Sequence, residues 1–117
     1  MHRGEIVLVN LEPAMSGEAD KRRPAVIVSN DGANIAAERT GRGVITVVPV
    51  TSNISRVYPF QVLLPASITG LEHDSKAQAE QVRSVSVDRL GFAVGEIPHD
   101  LMAELDEALR LHLALWL

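Results

Sequence analysis

The chain has 117 residues, of which 46% are hydrophobic and 22% are charged, and it contains no cysteine. This balance excludes a disordered chain and predicts one packed core, while the lack of cysteine excludes disulfides, thiolate metal sites and cysteine nucleophiles. The net charge of −4 is uneven, because residues 21–83 carry eight Lys and Arg against five Asp and Glu, whereas residues 88–117 carry two Arg against six acids.

The amino-terminal part predicts two strands joined by a polar loop. Residues 5–11 are apolar and rich in β-branched side chains, and Pro13 ends this strand. Residues 14–23 form the loop, and a second strand follows Pro24 over residues 25–29. No long apolar stretch precedes the first strand, so we expect no signal peptide or membrane helix and a cytoplasmic protein.

A short helix and a third strand are expected next. Residues 30–32 have turn chemistry, and residues 33–38 are expected to form one or two helical turns capped by Asp31. Residues 44–50 predict a strand buried on both faces, in which Pro49 indicates an edge or a bulge.

The last strands are short. Residues 60–64, 78–86 and 94–97 predict a fourth, a fifth and a final strand. From Pro98 onward an apolar residue recurs every three or four positions, which is typical of one amphipathic helix. The apolar stripe consists of Leu101, Leu105, Ala108, Leu109, Leu113 and Trp116. Short strands without long intervening helices, closed by one helix, favour a small barrel or sandwich.

The sequence lacks the common nucleotide-binding and metal-binding motifs. There is no Walker-type or dinucleotide-binding glycine loop, and the four histidines lack the spacing of metal ligands. Of these histidines, only His73, in the loop of residues 71–75, is retained as a candidate. The basic middle segment is compatible with a nucleic-acid face, since screening confines each field to about 8–10 Å. A mixed, solubilising surface is the alternative.

Two polar spots remain. Pro24 restricts Arg23 to an extended conformation, and a guanidinium is a planar fork of donors that matches two phosphate oxygens. Thr51 and Ser52 place two hydroxyls at the end of a buried strand. A guanidinium and a hydroxyl are parts of a metal-free phosphodiester cleavage site. Each spot alone is equally consistent with a solvated turn.

The order of these pieces resembles the MazF/PemK/Kid family of toxin ribonucleases. In chain order the matching landmarks are RGEI at 3–6, Glu18, RPAVIVS at 23–29, VPVTS at 48–52, YPFQV at 58–62, DS at 74–75 and EQVRSV at 80–85. The acidic carboxyl-terminal helix completes the likeness, which covers residues 2–115.

This resemblance implies a mainly β fold with a C-terminal helix, an SH3-like small barrel of the MazF/CcdB type, in one domain over residues 1–117. It implies a homodimer that cleaves single-stranded RNA through the ribose 2′-hydroxyl, without metal or cofactor, leaving 2′,3′-cyclic phosphate and 5′-hydroxyl ends. The implied partner is a cognate antitoxin with a disordered, acidic carboxyl-terminal segment.

The resemblance also assigns roles to residues. Arg23 and Thr51 are the implied catalytic pair. In this role Arg23 stabilises charge on the phosphorane and can deliver the proton to the leaving 5′-oxygen, and Thr51 either holds a phosphate oxygen or assists proton transfer. Arginine stays protonated at neutral pH, so the general base is open, with Glu18 as a candidate. The implied RNA-binding residues are Lys21, Arg22, Ser52, Asn53, Ser75, Gln81 and Arg83, of which Gln81 and Arg83 have a plain strand surface as their alternative.

Two features limit the likeness. Some family members have a serine directly before the loop glutamate, where this chain has Gly17. Aromatic residues are scarce, so base stacking is expected to contribute little to RNA recognition. A gyrase-directed, protein-binding toxin on the same barrel remains an alternative because of the apolar end at residues 113–117, and an inactive binding module is a third.

Overall fold

The structure, a computed structural model, describes residues 1–11 and 22–116. These residues form seven strands and three helices: β1 (Glu5–Asn10), β2 (Arg22–Ile27), α1 (Asp31–Thr40), β3 (Val44–Thr51), β4 (Gln61–Leu64), α2 (Ala66–Thr69), β5 (Ser75–Gln78), β6 (Arg83–Ser86), β7 (Leu90–Glu96) and α3 (His99–Leu113). The prediction of a mainly β chain with a C-terminal helix is therefore confirmed. Glu18 and Lys21, two predicted site residues, lie outside the described residues.

All strand pairs are antiparallel, in the order β4-β5-β3-β2-β1-β7, with β6 also paired to β3. Strand β3 changes its partner along its length, because residues 44–47 pair with β6 and residues 50–51 pair with β5. Pro49 lies between these two stretches and faces Ala25 of β2. It therefore marks the change of partner in a central strand, and the expected edge or bulge is wrong.

Two hydrophobic clusters lie on opposite faces of the sheet. Because successive side chains of a strand point to opposite faces, Val48 belongs to the cluster covered by α3, whereas Val47 belongs to the cluster that includes Ala37 of α1. Both valines are fully buried. The expectation that this strand is buried on both faces holds for its central residues.

Helix α3 packs on the sheet through Leu101, Leu105 and Ala108. The predicted apolar stripe is wrong at its end, since Leu113 and Trp116 are 49% and 71% exposed. The helix ends at Leu113, and Ala114 follows in a left-handed conformation, so helical periodicity no longer directs the side chain of Trp116. No helix among the described residues is both long and apolar enough to span a membrane.

Other boundaries differ from the prediction for physical reasons. The strand expected over residues 78–86 is two strands separated by a 3-10 turn at Ala79–Gln81, which carries the chain from one stretch of β3 to the other. The final strand begins at Leu90, and the four-residue α2 was not predicted.

The helix cap was also assigned to the wrong residue. Asn30 caps α1 by accepting the backbone N–H of Ala33 at 2.8 Å. Asp31 instead accepts the backbone N–H of Arg3 at 2.7 Å. Arg3 further donates through its guanidinium to the carbonyl of Val28 and to Asp106 of α3, so one side chain joins the sheet to the last helix.

Candidate functional site

The pairing of β2 with β3 brings the two principal candidates together. Ala25 lies opposite Pro49, and continuing this antiparallel register by two residues places Arg23 across from Thr51. Side chains alternate between the two faces of a sheet, and residues directly opposite each other on neighbouring strands share a face. The side chains of Arg23 and Thr51 therefore lie on the same face. The register therefore joins a guanidinium and a hydroxyl that are 28 positions apart in sequence.

Arg23 and Thr51 line one cleft with a volume of about 650 Å³. Its lining comes from β1, β2, the end of β3, the segment from Gly70 to the start of β5, and β7. The polar and aromatic residues of the lining are Arg23, Thr51, Ser52, Glu72, His73, Ser75 and Phe92. Of the predicted site residues, the cleft thus collects Arg23, Thr51, Ser52 and Ser75, together with His73.

The hydroxyl of Thr51 is held in place by a hydrogen bond to its oxygen, and its proton remains free to be donated to a ligand. Its oxygen accepts the backbone N–H of Asn53 at 3.2 Å, which uses a lone pair and leaves the O–H free to donate. Asn53 itself accepts from the backbone and the hydroxyl of Ser55, so its side chain shapes the loop. Arg23 is exposed, and its guanidinium has no hydrogen bond or ion pair within residues 1–11 and 22–116.

The segment that carries His73 and Ser75 is anchored at both of its ends. Asp74 accepts the backbone N–H of Ala66 at 2.8 Å, and the hydroxyl of Ser75 donates to the carbonyl of His73 at 2.9 Å. At the other end, Gly95 of β7 lies directly against the carbonyl of Thr69 in α2. Side chains and backbone together hold this wall of the cleft against the sheet.

Four of the described residues predicted to bind RNA lie outside the cleft lining, namely Arg22, Asn53, Gln81 and Arg83. Arg83 donates from Nη1 to the carbonyl of Leu11 at 2.5 Å, which joins β6 to the end of β1. Gln81 is exposed on the 3-10 turn. The guanidinium of Arg22 lies beside Gly91 of β7, with Nη1 3.4 Å from the position that a Cβ there would occupy.

Some of the basic side chains of residues 21–83 form hydrogen bonds within the protein. Lys76 is buried, and its Nζ donates to the carbonyl of Arg56 at 2.6 Å. The formal charge count therefore overstates the positive charge available to a ligand. Arg23 is the basic residue that the described part of the cleft presents.

Phe92 is the cleft residue that the sequence did not single out. It is 69% exposed, although phenylalanine is usually buried. Its neighbours Gly91 and Ala93 have small side chains, which is a weak signal for an aromatic ring standing clear of its strand. Among the described residues, no group of three or more His, Cys, Asp or Glu is placed to hold a metal ion.

Fold and cleft define a class of protein in which a small antiparallel sheet, covered by a helix, carries a guanidinium and a hydroxyl in one cleft. The family model for PemK-like, MazF-like toxins of type II toxin–antitoxin systems matches residues 2–113. The chain belongs to this family, as the sequence motifs predicted.

Individual relatives agree with this membership. Endoribonuclease MazF9 of Mycobacterium tuberculosis H37Rv is 62% identical over 116 residues, which cover 99% of this chain and 98% of the relative. The crystal structure of MazF from Deinococcus radiodurans superposes with a TM-score of 0.75 at 30% identity, covering 97% and 96% of the two chains. A mycobacterial endoribonuclease in complex with its cognate antitoxin superposes with a TM-score of 0.76 at 25% identity, covering 100% and 98%. The MazF-type fold is confirmed, and the gyrase-directed alternative is not favoured.

Proposed function

We propose that this chain is an endoribonuclease, the toxin of a type II toxin–antitoxin module, and that it cleaves single-stranded RNA without a metal ion. The observation that carries the proposal is the presence of Arg23 and Thr51 in one cleft. Relatives whose names describe them as endoribonucleases support it, MazF9 among them. The cytoplasmic location predicted from the sequence is part of the same proposal.

The proposed reaction is attack of the ribose 2′-hydroxyl on the neighbouring phosphorus. A base takes the proton of the 2′-hydroxyl, the bond from phosphorus to the 5′-oxygen breaks, and a proton donor of the cleft protonates that oxygen, which leaves a 2′,3′-cyclic phosphate and a 5′-hydroxyl. Negative charge builds on the phosphate oxygens during this step, and donors already aimed at those oxygens lower the barrier. Arg23 supplies two parallel N–H donors, and Thr51 supplies an O–H whose oxygen is already fixed by Asn53.

Removal of the 2′-hydroxyl proton is assigned to a group other than arginine, because a guanidinium remains protonated at neutral pH and cannot act as the base; Arg23 can still donate the proton that the leaving 5′-oxygen takes. Glu18, implied by the family likeness, lies outside the described residues. Within the described cleft, Glu72 and His73 are the side chains able to accept a proton. We propose that the base is one of these three residues.

The other residues predicted to contact RNA remain part of the proposal, and they lie at different places relative to the cleft. Ser52 and Ser75 line the cleft, Asn53 shapes the adjoining loop, and Arg22 lies at the neighbouring strand. Contacts from Gln81 and Arg83 would require the RNA to extend beyond the cleft, and Lys21 lies outside the described residues.

We further propose a homodimer and a cognate antitoxin as partners. The homodimer is supported by an exposed apolar surface beside β4 and at the end of α3, since exposed patches of this kind mark interaction sites. Its apolar residues are Leu111, Leu115 and Trp116, which lie beside Pro59 and Val62. The antitoxin is supported by the neighbouring structure solved with its cognate antitoxin, and an acidic tail would complement Arg23.

The test is an RNA cleavage assay in EDTA with a long single-stranded RNA, followed by mapping of the ends. We expect discrete cuts with 5′-hydroxyl ends, and a loss of about 100- to 1,000-fold in rate for Arg23→Ala, the magnitude typical of removing one transition-state donor. Thr51→Val should lose activity that Thr51→Ser retains. Arg42→Ala, which removes an exposed arginine in the turn before β3, is the matched control.

Each part of the proposal has its own contrary result. A folded Arg23→Ala variant that cleaves at the wild-type rate would remove the catalytic assignment. Loss of cleavage in EDTA would contradict a metal-free reaction, and cleavage of the corresponding DNA would contradict attack by the 2′-hydroxyl. A monomer at micromolar concentration in light scattering would refute the homodimer.

A further inference from the structure

The side chain of Phe92 is unusual in both its exposure and its location. It is 69% exposed, and it lines the cleft that contains Arg23 and Thr51. Leaving an aromatic ring in water forgoes the free energy of burial. Such a ring inside a ligand cleft is therefore a candidate for contact with the ligand.

An irregularity of the sheet directs Phe92 into the cleft. Val7 of β1 lies opposite Ala93, whereas Val9 lies opposite Leu90. Two residues of β7, Gly91 and Phe92, thus occupy the interval opposite a single residue of β1, which is the arrangement of a β-bulge. Bulges are enriched beside active sites, where they turn a side chain away from the regular alternation of the strand.

The order of the strands sets the distance between Phe92 and Arg23. Strand β1 separates β7 from β2, so two strand spacings, together roughly 10 Å, lie between Phe92 and Arg23. This separation is comparable to the span of one or two nucleotides. A phosphate held by Arg23 and Thr51 therefore leaves a neighbouring base within reach of the ring.

The charges around Phe92 favour a nucleic acid over a purely apolar ligand. The guanidinium of Arg22 lies against Gly91, the residue next to Phe92. Arg23 lines the same cleft as Phe92, and an aromatic ring that shares a groove with an arginine is a common platform for single-stranded RNA, because the base stacks on the ring while the cation attracts the backbone. The expectation of little stacking, drawn from the small number of aromatic residues, did not allow for one ring placed in the cleft.

We propose that Phe92 is a base-stacking subsite for the nucleotide next to the phosphate bound by Arg23 and Thr51. This inference rests on the proposed ribonuclease function and adds a specificity-determining residue to it. Stacking on one ring is tolerant of base identity, so Phe92 contributes affinity and register along the RNA, whereas sequence selection falls to polar groups of the cleft.

The test measures binding of a 2′-O-methyl RNA oligonucleotide that contains the mapped cleavage sequence and resists attack by the 2′-oxygen. Phe92→Ala should weaken binding between about fivefold and one-hundredfold, and Phe92→Tyr should stay within about twofold of wild type. Phe92→Leu, which keeps an apolar side chain without a ring, should resemble Phe92→Ala. Ile35→Ala, which truncates an exposed apolar residue on α1, should leave affinity unchanged.

An abasic scan distinguishes stacking from a general loss of apolar surface. Removing one base at a time from the oligonucleotide should reveal a position whose loss weakens wild type as much as Phe92→Ala does. At that position the two changes together should cost no more than either alone, because the same contact is removed twice.

Three results would overturn the inference. A folded Phe92→Ala variant with wild-type affinity would show that no base stacks there. If that variant kept RNA affinity but changed its oligomeric state in light scattering, the ring would belong to a protein interface. If the wild-type protein neither bound nor cleaved any RNA, the proposed function would fail as well. If the Phe92→Ala variant bound and cleaved RNA as well as the wild type does, only the stacking subsite would be refuted.

Discussion

Replacing Gly95 with alanine tests how closely β7 approaches α2. A Cβ at this position would overlap the carbonyl oxygen of Thr69, would lie 3.3 Å from its carbonyl carbon and would touch Ile6 at 3.5 Å. Carbon and oxygen atoms normally stay at least about 3.3 Å apart. The obstacle is backbone, so no side chain can rotate away, and β7 and α2 must separate by on the order of 1 Å.

The expected cost follows from this overlap. Overpacking of a well-packed contact costs about 1–3 kcal/mol, while the stiffer unfolded chain of an alanine variant recovers about 0.4–1 kcal/mol. We therefore expect Gly95→Ala to lower the free energy of unfolding by about 1–2 kcal/mol. Urea unfolding followed by circular dichroism should show a midpoint lower by about 1 M, given the usual slope of 1–3 kcal/mol per molar urea.

Gly32→Ala provides the matched control for this substitution. At Gly32 a Cβ would meet, within 4 Å, one atom at the tip of the Asn30 side chain, and alanine favours the helix by up to about 1 kcal/mol. The control should cost less than Gly95→Ala, because the obstacle at Gly32 is one side-chain oxygen at 3.2 Å rather than backbone. If Gly95→Ala unfolded at the wild-type urea concentration with an unchanged slope, the close approach of β7 to α2 would be wrong.

Two further predictions concern stability. Leu105→Ala, at a fully buried position of α3, should cost about 2–5 kcal/mol in thermal or urea unfolding; a cost below about 1 kcal/mol would mean that α3 does not pack as described. The backbone N–H of Arg3 lowers the pKa of Asp31 below its ordinary value of 3.8, so this carboxylate stabilises the fold above that pH and the contribution is lost as pH falls through the lowered value. Asp31→Asn should therefore lower the urea midpoint at pH 6, with the difference from wild type shrinking towards pH 2–3; a difference independent of pH would refute the linkage.

Local sequence patterns predicted much of the fold. Runs of β-branched residues identified β1 and β3, and the three- and four-residue recurrence of leucine identified α3 up to Ala108. What they missed depends on contacts distant in sequence. The division of residues 78–86 into two strands follows from β3 having different partners along its length, and no local pattern records which strand lies alongside.

The candidate site divides in the same way. Arg23 and Thr51 were predictable individually, because each is a polar residue at the end of a strand within a recognisable motif. The exposure of Phe92 was not, since it depends on a bulge between β1 and β7. Likewise, the sequence predicts that Arg83 is a cation free to contact RNA, yet its guanidinium donates a hydrogen bond to the carbonyl of Leu11.

Thr51 is the last residue of the strand whose preceding valines fill both hydrophobic clusters. Its hydroxyl is consequently positioned by the same atoms that determine the stability of the protein. A selection for variants that have lost toxicity should therefore return substitutions at Val47 and Val48 as well as at Thr51. Substitutions in β3 therefore affect the stability of the core and the position of the cleft hydroxyl together. Segments that do not touch β3 should tolerate more substitutions.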